Sequence, residues 1–272
     1  MNHRLNGKIA LVTGAGRGGN IGLAIVRAFL REGAAGVVAT DNRLVEEAAL
    51  TAGIEAEFGT GRFVLLKHDV TSPDSWAEVY AQTLQRFGAL DVLVNNAGVS
   101  KHGGVEHGDL ETVRWAMAVN HDALFIGMKT CLPALLDAVN RHPGGGSIIN
   151  NLSMASYMPN AHNIAYHSSK AAGRMLTICA AKEFGPRKIR VNSVHLGMTI
   201  TPLIFEALEE YKAIGLWDTN EAALAALAAE APLNMTSAPE DAAHAFVYLA
   251  SEEARFVTGA SIEHDGGIGL KY

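Results

Sequence analysis

The strongest constraint on this chain is a regular alternation of short, continuously apolar, β-branched runs with longer amphipathic segments. Residues 8–13 (KIALVT) read as a buried strand and 21–32 as the helix after it. The pair 36–40 and 44–58 repeats this, as does 62–67 with 73–87, where Pro73 sits in a first helical turn that tolerates its missing N–H. A strand over 91–94 precedes a largely helical 110–140, and a strand over 146–152 precedes a helix over 165–184 that stops at Gly185-Pro186. Residues 189–194 form a sixth strand, 239–250 a last helix, and 260–263 a final short strand. Strands apolar on both faces imply a parallel sheet covered by helices on both sides. Right-handed crossovers then make this a doubly wound α/β sheet of about seven strands, in a single domain spanning 1–272.

Composition agrees and excludes several functions. Hydrophobic residues make up 49% of the 272 and charged residues 18%, enough apolar material for a large core. The net charge of −6 comes with no basic run, so no nucleic-acid partner is expected. Cys131 and Cys179 lie in apolar helical stretches without disulfide or metal-ligand spacing; both read as small buried core residues, and no metal is expected. Residues 1–7 lack an apolar signal region, and no apolar run reaches the roughly 18 residues of a membrane span. A cytoplasmic protein without a membrane partner is expected. Only 203–234 breaks the alternation. It is rich in Ala and Leu and should form small helices leaving the end of the sixth strand, where open α/β sheets bind ligands. A substrate lid fits that placement, with a packing or subunit-contact helix pair as the alternative.

Between the first strand and first helix runs Thr13-Gly14-Ala15-Gly16-Arg17-Gly18-Gly19-Asn20-Ile21-Gly22. Glycines there let backbone amides at a helix N-terminus approach a pyrophosphate, which points to a dinucleotide and a Rossmann fold. Gly14, Gly16 and Gly19 satisfy a literal G-x-G-x-x-G, a weak signal in a chain with 28 glycines that the strand–turn–helix context strengthens. Asp41 closes the second strand, where a carboxylate accepts from the adenosine ribose and repels a 2′-phosphate. NAD is therefore expected over NADP. Arg17 and Arg43 are the residues that could pair with that phosphate instead, and Asp41 could alternatively cap the next helix.

These motifs, with those that follow in order, resemble the short-chain dehydrogenase/reductase family over nearly the whole chain. The further matches are Asp69-Val70, Asn95-Asn96-Ala97-Gly98, Asn120, Ser153, Tyr166-x-x-x-Lys170, Asn192 and Thr201-Pro202. The resemblance implies an oxidoreductase interconverting a secondary alcohol and a ketone, with Asn120, Ser153, Tyr166 and Lys170 as catalytic residues. It gives Gly14, Arg17, Asn20, Ile21 and Asp41 to the cofactor, with Asp69 and Val70 at the adenine and Asn96 and Gly98 at a backbone wall. Gly197, Thr199 and Thr201 would hold the carboxamide and phosphates, and Tyr166 and Lys170 the nicotinamide ribose. Asn120 would sit at a kink whose carbonyl holds a water leading to Lys170. A homotetramer through 110–140, 165–184 and the tail 266–272 is also implied.

The chemistry can be argued from the residues themselves. Tyr166 and Lys170 are four apart and share a helix face. A tyrosine near its ordinary pKa of about 10 shuttles protons at neutral pH only if its phenolate is stabilised, and an adjacent ammonium with a nicotinamidium charge could do that. Ser153 precedes Tyr166 by thirteen residues and could hydrogen-bond the substrate oxygen; Ser156 is a nearby competitor off the strand end. An isolated i,i+4 Tyr–Lys pair would be ordinary surface decoration.

Two departures from the family pattern stand out. The Gly loop is two residues longer, with Asn20 where the middle glycine is expected, a residue that tolerates positive φ. Leu196-Gly197 replaces Pro-Gly after the sixth strand. For the substrate, Ser153, Met154, Tyr166, Leu196 and Met198 are the main candidates, with Ala155, Asn160, His162, Leu203, Phe205, Leu216 and Trp217 around them. Most are apolar, which suits a small to medium hydrophobic or cyclic carbonyl compound. Two other functions fit the fold: an NADPH-dependent carbonyl or 3-oxoacyl-thioester reductase, and a non-catalytic dinucleotide-sensing protein.

Overall fold

The computed structural model describes residues 3–213 and 215–271. Its seven strands form one parallel sheet in the order β3-β2-β1-β4-β5-β6-β7. They are β1 (Ile9–Thr13), β2 (Gly36–Asp41), β3 (Phe63–Lys67), β4 (Val92–Asn95), β5 (Gly146–Ser153), β6 (Ile189–Leu196) and β7 (Ser261–His264). Nine α-helices lie among the described residues: α1 (Ile21–Arg31), α2 (Glu47–Phe58), α3 (Pro73–Phe87), α4 (Leu110–Met117), α5 (Ala123–Asp137), α6 (Ile164–Phe184), α7 (Pro202–Ala213), α8 (Asn220–Glu230) and α9 (Pro239–Ala250). The sheet is the doubly wound Rossmann-type platform that the alternation predicts.

Two cores form because β1, β4, β5 and β6 are apolar on both faces. Beneath one face α1 and α9 pack Phe29, Ile25 and Phe246 against Val12 and Val94. Across the other, α3, α5 and α6 pack Trp76, Met128, Leu135 and Phe184 against Leu11, Leu93 and Ile148. Trp76 is fully buried with its indole N–H donated to Val70 O at 2.9 Å, so burying that ring strands no donor. By area, such an aromatic contributes about 3 kcal/mol.

Several local expectations need correction. The helix expected over 44–58 starts only at Glu47, because residues 44–46 are spent on a turn that brings Glu46 beside the Gly loop. The largely helical 110–140 does carry the kink expected at Asn120, as a π-turn at Ala118–Asp122 between α4 and α5, and it ends in a 3-10 turn at Ala138–Asn140. Cys131 is buried as expected, but Cys179 is exposed on α6. Of the expected subunit surfaces, Tyr272 lies outside the described residues. β5 and β6 run further than expected, to Ser153 and Leu196, which pair with each other in register. That extension carries Ser153 to the carboxyl edge of the sheet.

Candidate active site

At the carboxyl edge of β1 the lengthened Gly loop folds back over β2. Asp41 Oδ2 accepts the Gly16 amide at 2.9 Å, and Glu46 Oε2 accepts the Gly18 amide at 2.9 Å. Any side chain at residue 16 would collide with Asp41, since a Cβ there would lie 2.5 Å from Asp41 Cβ. Asp41 does not cap α2; its second oxygen accepts the Arg43 amide at 3.1 Å. Asn20 does not use positive φ either. Its φ is −94°, its Oδ1 accepts the Leu23 amide at 2.8 Å as the N-cap of α1, and its Nδ2 donates to Gly14 O at 3.0 Å. Positive φ falls instead on Gly14 and Gly19. Arg17 reaches out of the loop to Glu206 on α7 at 2.6 Å.

Next to this loop the ends of β1, β4 and β5 are cross-linked by amides. Thr13 Oγ1 accepts the amides of Asn96 and Ala97, both at 3.0 Å. Asn96 Nδ2 donates to Thr13 O and Gly14 O, while Asn151 Nδ2 donates to Asn96 Oδ1 at 2.8 Å. One layer below, Asn95 and Asn150 hydrogen-bond at 2.9 Å, and Asn150 continues to Thr177 on α6. Strand order thus fixes the backbone wall at Asn96–Gly98.

Asn120 sits in the π-turn, buried, with Oδ1 accepting the Val99 amide and Nδ2 donating to Val99 O and Ser169 Oγ, each at 2.9 Å. Lys170 is 4% exposed, and its Nζ donates to Asn151 O at 2.9 Å. Gly98 is the close approach that admits both: a Cβ there would lie 3.3 Å from Asn120 Oδ1 and 3.4 Å from Lys170 Nζ. Lys170 Nζ is 5.6 Å from the Tyr166 ring centroid. The Ser153 hydroxyl lies within reach of the Tyr166 phenol, accepts the Ala155 amide at 3.1 Å, and donates weakly to Leu196 O. Ser156, the competitor, donates instead to Lys170 O at 3.1 Å.

Electrostatics here oppose the charged forms. Burial pulls Lys170 from 10.5 down to about 8. Burial pushes Tyr166 up; the Ser153 hydroxyl draws it down and Tyr211 raises it. The protein alone therefore does not lower the phenol, in keeping with the expectation that a nicotinamidium charge is needed beside Lys170.

The residues present fit a nicotinamide dinucleotide. Thr199 is buried with Oγ1 lacking a partner among the described residues, at the place expected for a carboxamide. Thr201 Oγ1 accepts from Ile204 at the start of α7, and Asp69 is engaged with Thr71, which holds its carboxyl below the usual range. Val70 lies in the turn after β3, with its carbonyl accepting from Trp76. Ile21 opens α1, and Gly197 packs against Asp265. Among the substrate candidates, Met154 and Leu196 are each 5% exposed. Leu196 packs in the core below the sheet edge, so it does not offer the apolar surface expected of it. Met198 lines a cavity of about 250 Å³ with Leu227, Leu233 and Ile268.

Comparison with known proteins gives the family of the chain. A family model described as enoyl-(acyl carrier protein) reductase matches residues 14–269. The chain is 34% identical over 267 residues to 2,5-dichloro-2,5-cyclohexadiene-1,4-diol dehydrogenase of Sphingobium indicum, covering 98% of both. It is 35% identical over 268 residues to trans-4-hydroxycyclohexanecarboxylate dehydrogenase of Sinomonas cyclohexanicum, covering 97% of this chain and 93% of the relative. The chain belongs to the short-chain dehydrogenase/reductase family. L-Sorbose reductase of Gluconobacter frateurii, solved with NADPH and L-sorbose, superposes with a TM-score of 0.87 at 29% identity, covering 99% of both chains. Members of the family related to this one are dehydrogenases and reductases of alcohol and ketone compounds, and this short-chain dehydrogenase/reductase is an oxidoreductase of that class.

Sequence reasoning passed over Glu46, Asn151, His195 and Tyr211. The doubled Asn-Asn at 95–96 and 150–151, set side by side by the β4–β5 register, was the available signal for Asn151. His195 is buried on β6, with Nδ1 3.2 Å from Ser153 O and Nε2 2.9 Å from Ser193 Oγ; burial lowers it to about 4, so it is a neutral prop behind Ser153.

Proposed function

We propose that this protein is an NAD-linked dehydrogenase and ketone reductase of small cyclic or apolar secondary alcohols. The observation carrying this is the Ser153 hydroxyl and the buried Lys170 flanking Tyr166 at the carboxyl edge of the sheet. When bound, the dinucleotide supplies a hydride acceptor or donor and a positive charge. Tyr166 exchanges the proton of the substrate oxygen, and Ser153 orients that oxygen. Lys170 holds the ribose and passes protons onward. Asn120 holds the loop at Val99 through its side chain, while the π-turn frees its carbonyl toward a water. Burial raises Tyr166 in the protein alone, so proton removal from an alcohol waits for the cofactor's charge.

NAD is favoured because two carboxylates, Asp41 and Glu46, stand on the Gly loop where a 2′-phosphate would approach. NADP is the second reading; Arg43 beside Asp41 and the NADPH bound by the sorbose reductase favour it. Turnover of cyclohexanol and its ring-substituted relatives, followed by nicotinamide absorbance with NAD and NADP in parallel, tests both. We expect a higher kcat/KM with NAD. No turnover of these alcohols with either cofactor would overturn the cyclic-alcohol reading.

We further read α7–α8 as a substrate lid and the active form as a cytoplasmic homotetramer. Exposed Leu110, Trp115, Phe125 and Met175 on α4, α5 and α6 support a buried subunit contact. Light scattering at four times the chain mass is the expected result.

A further inference from the structure

Tyr211 on α7 faces the catalytic tyrosine closely enough to raise its pKa. Its own phenol is raised by burial, while Asn163 and Asn160 lie within reach of the hydroxyl and draw it down. The His102 ring meets the Tyr211 ring edge-on, with centroids 5.7 Å apart at 90°, and His162 stacks on His102 at 5.8 Å and 13°. These rings come from rigidly joined loops: Gly103 N donates to His162 O at 2.8 Å, and Ile164 N donates to Gly103 O at 3.1 Å. Yet His102 Nε2 is buried with no partner among the described residues. An unpaired ring nitrogen beside a phenol is a place where a ligand's polar atom would be satisfied.

We infer that Tyr211 and His102 form a polar subsite facing Ser153 and Tyr166, and that it selects a second, uncharged oxygen on a cyclic secondary alcohol. This rests on the alcohol dehydrogenase reading and narrows its substrate class to diols and hydroxyketones. The absence of charge follows from α7 itself. Glu206 is paired with Arg17 and Glu209 with Lys212, but Glu210 accepts only the His102 backbone amide among the described residues, at 2.9 Å. Its charge is felt at Tyr211, whose pKa it raises. A carboxylate brought to this subsite meets that charge; a hydroxyl can donate to His102 Nε2 and accept from Tyr211.

The test compares trans-1,4-cyclohexanediol, cyclohexanol and trans-4-hydroxycyclohexanecarboxylate as substrates of the wild type, Tyr211→Phe and His102→Phe. The readout is the ratio of kcat/KM values between substrates within each protein. His102→Phe keeps the ring contacts and removes Nε2, so it serves should Tyr211→Phe fold poorly. The wild type should favour the diol over cyclohexanol by about tenfold and rank the carboxylate last. Each variant should lower the diol-to-cyclohexanol ratio about tenfold, the scale of one hydrogen bond to a neutral partner. An unchanged ratio in either folded variant, or a preference for the carboxylate, overturns the subsite while leaving the dehydrogenase standing. Turnover of none of the three with either cofactor overturns both.

Discussion

The carboxyl edge of the sheet and the α7–α8 segment both face the proposed site, yet they are built on opposite terms. At the sheet edge the polar groups are buried and cross-linked: Asn95 and Asn120 are 2% and 1% exposed, and strands, π-turn and α6 hold one another. In α7 and α8 only Leu208 and Ala223 are buried among the described residues, and Phe205 on α7 and Leu216 between the two helices are more than 40% exposed. Two of the segment's polar ties to the rest, Arg17–Glu206 and His102–Glu210, involve exposed carboxylates. A region with few buried apolar contacts opens at low cost. On the proposed reading, reaction geometry is placed where displacement is expensive, and substrate choice where it is cheap.

The largest effect should separate the two regions in rate. Tyr166→Phe removes the proton donor and keeps the ring, and kcat should fall by about 10³-fold or more in steady-state absorbance assays. Phe205→Ala on α7 should change kcat/KM by less than about tenfold. Equal losses in both variants would erase the contrast.

Lys170 sharpens the comparison through stability. Its displacement from 10.5 to about 8 corresponds to roughly 3 kcal/mol. Because the folded pKa is depressed, the unfolded chain binds more protons between those two values, so this contribution to stability grows as pH rises from 8 to 10.5 and is lost below 8. Lys170→Met should thus raise stability near pH 7 by up to about 3 kcal/mol while abolishing turnover, with the gain shrinking toward pH 10.5. Urea unfolding at pH 7 and pH 10 measures both. A less stable variant at pH 7 would mean that the hydrogen bond to Asn151 O outweighs the desolvation.

Cofactor choice should respond more modestly. Asp41→Ser should lower the NAD-to-NADP ratio of kcat/KM by about tenfold, the size of a coupling near 1.4 kcal/mol. Adding Glu46→Gln should lower it further, because both carboxylates sit on the loop. No change in the double variant would make Arg17 or Arg43 the determinant.

How much of this was legible in the sequence follows the same divide. Strands apolar on both faces announce a buried parallel sheet, and Asp41, Ser153 and Tyr166 sit at strand or helix ends that periodicity locates. What escaped depends on contacts between segments distant in sequence. Glu46 reads as a helix residue until the 44–46 turn brings it to Gly18. Tyr211 lies 45 positions from Tyr166 in an Ala- and Leu-rich stretch whose weak patterning says nothing of its direction. Leu196 was misjudged because the strand continues through it and turns its side chain into the core. The fall of Asn20 into extended backbone was hidden by the loop's two added residues, which leave positive φ to neighbouring glycines.

The smallest effect tests whether the segment is tied to the nucleotide loop at all. Arg17 and Glu206 are 47% and 53% exposed, so their pair is worth about 0.5 kcal/mol at most in stability. Glu206→Gln should shift the melting temperature by no more than about 2 °C in a chain of this length. The same change frees Arg17 for the dinucleotide phosphates, so KM for the cofactor should fall about twofold at low salt. That gain should vanish near 1 M salt, where the screening length is about 3 Å. A cofactor KM that does not move, or moves equally at both salt concentrations, would show that α7 stays in place for apolar reasons and that the pair is surface decoration. The distinction between a costly platform and a cheaply opened segment would then rest on Leu208 and Ala223 alone, whose contacts the ion pair does not touch.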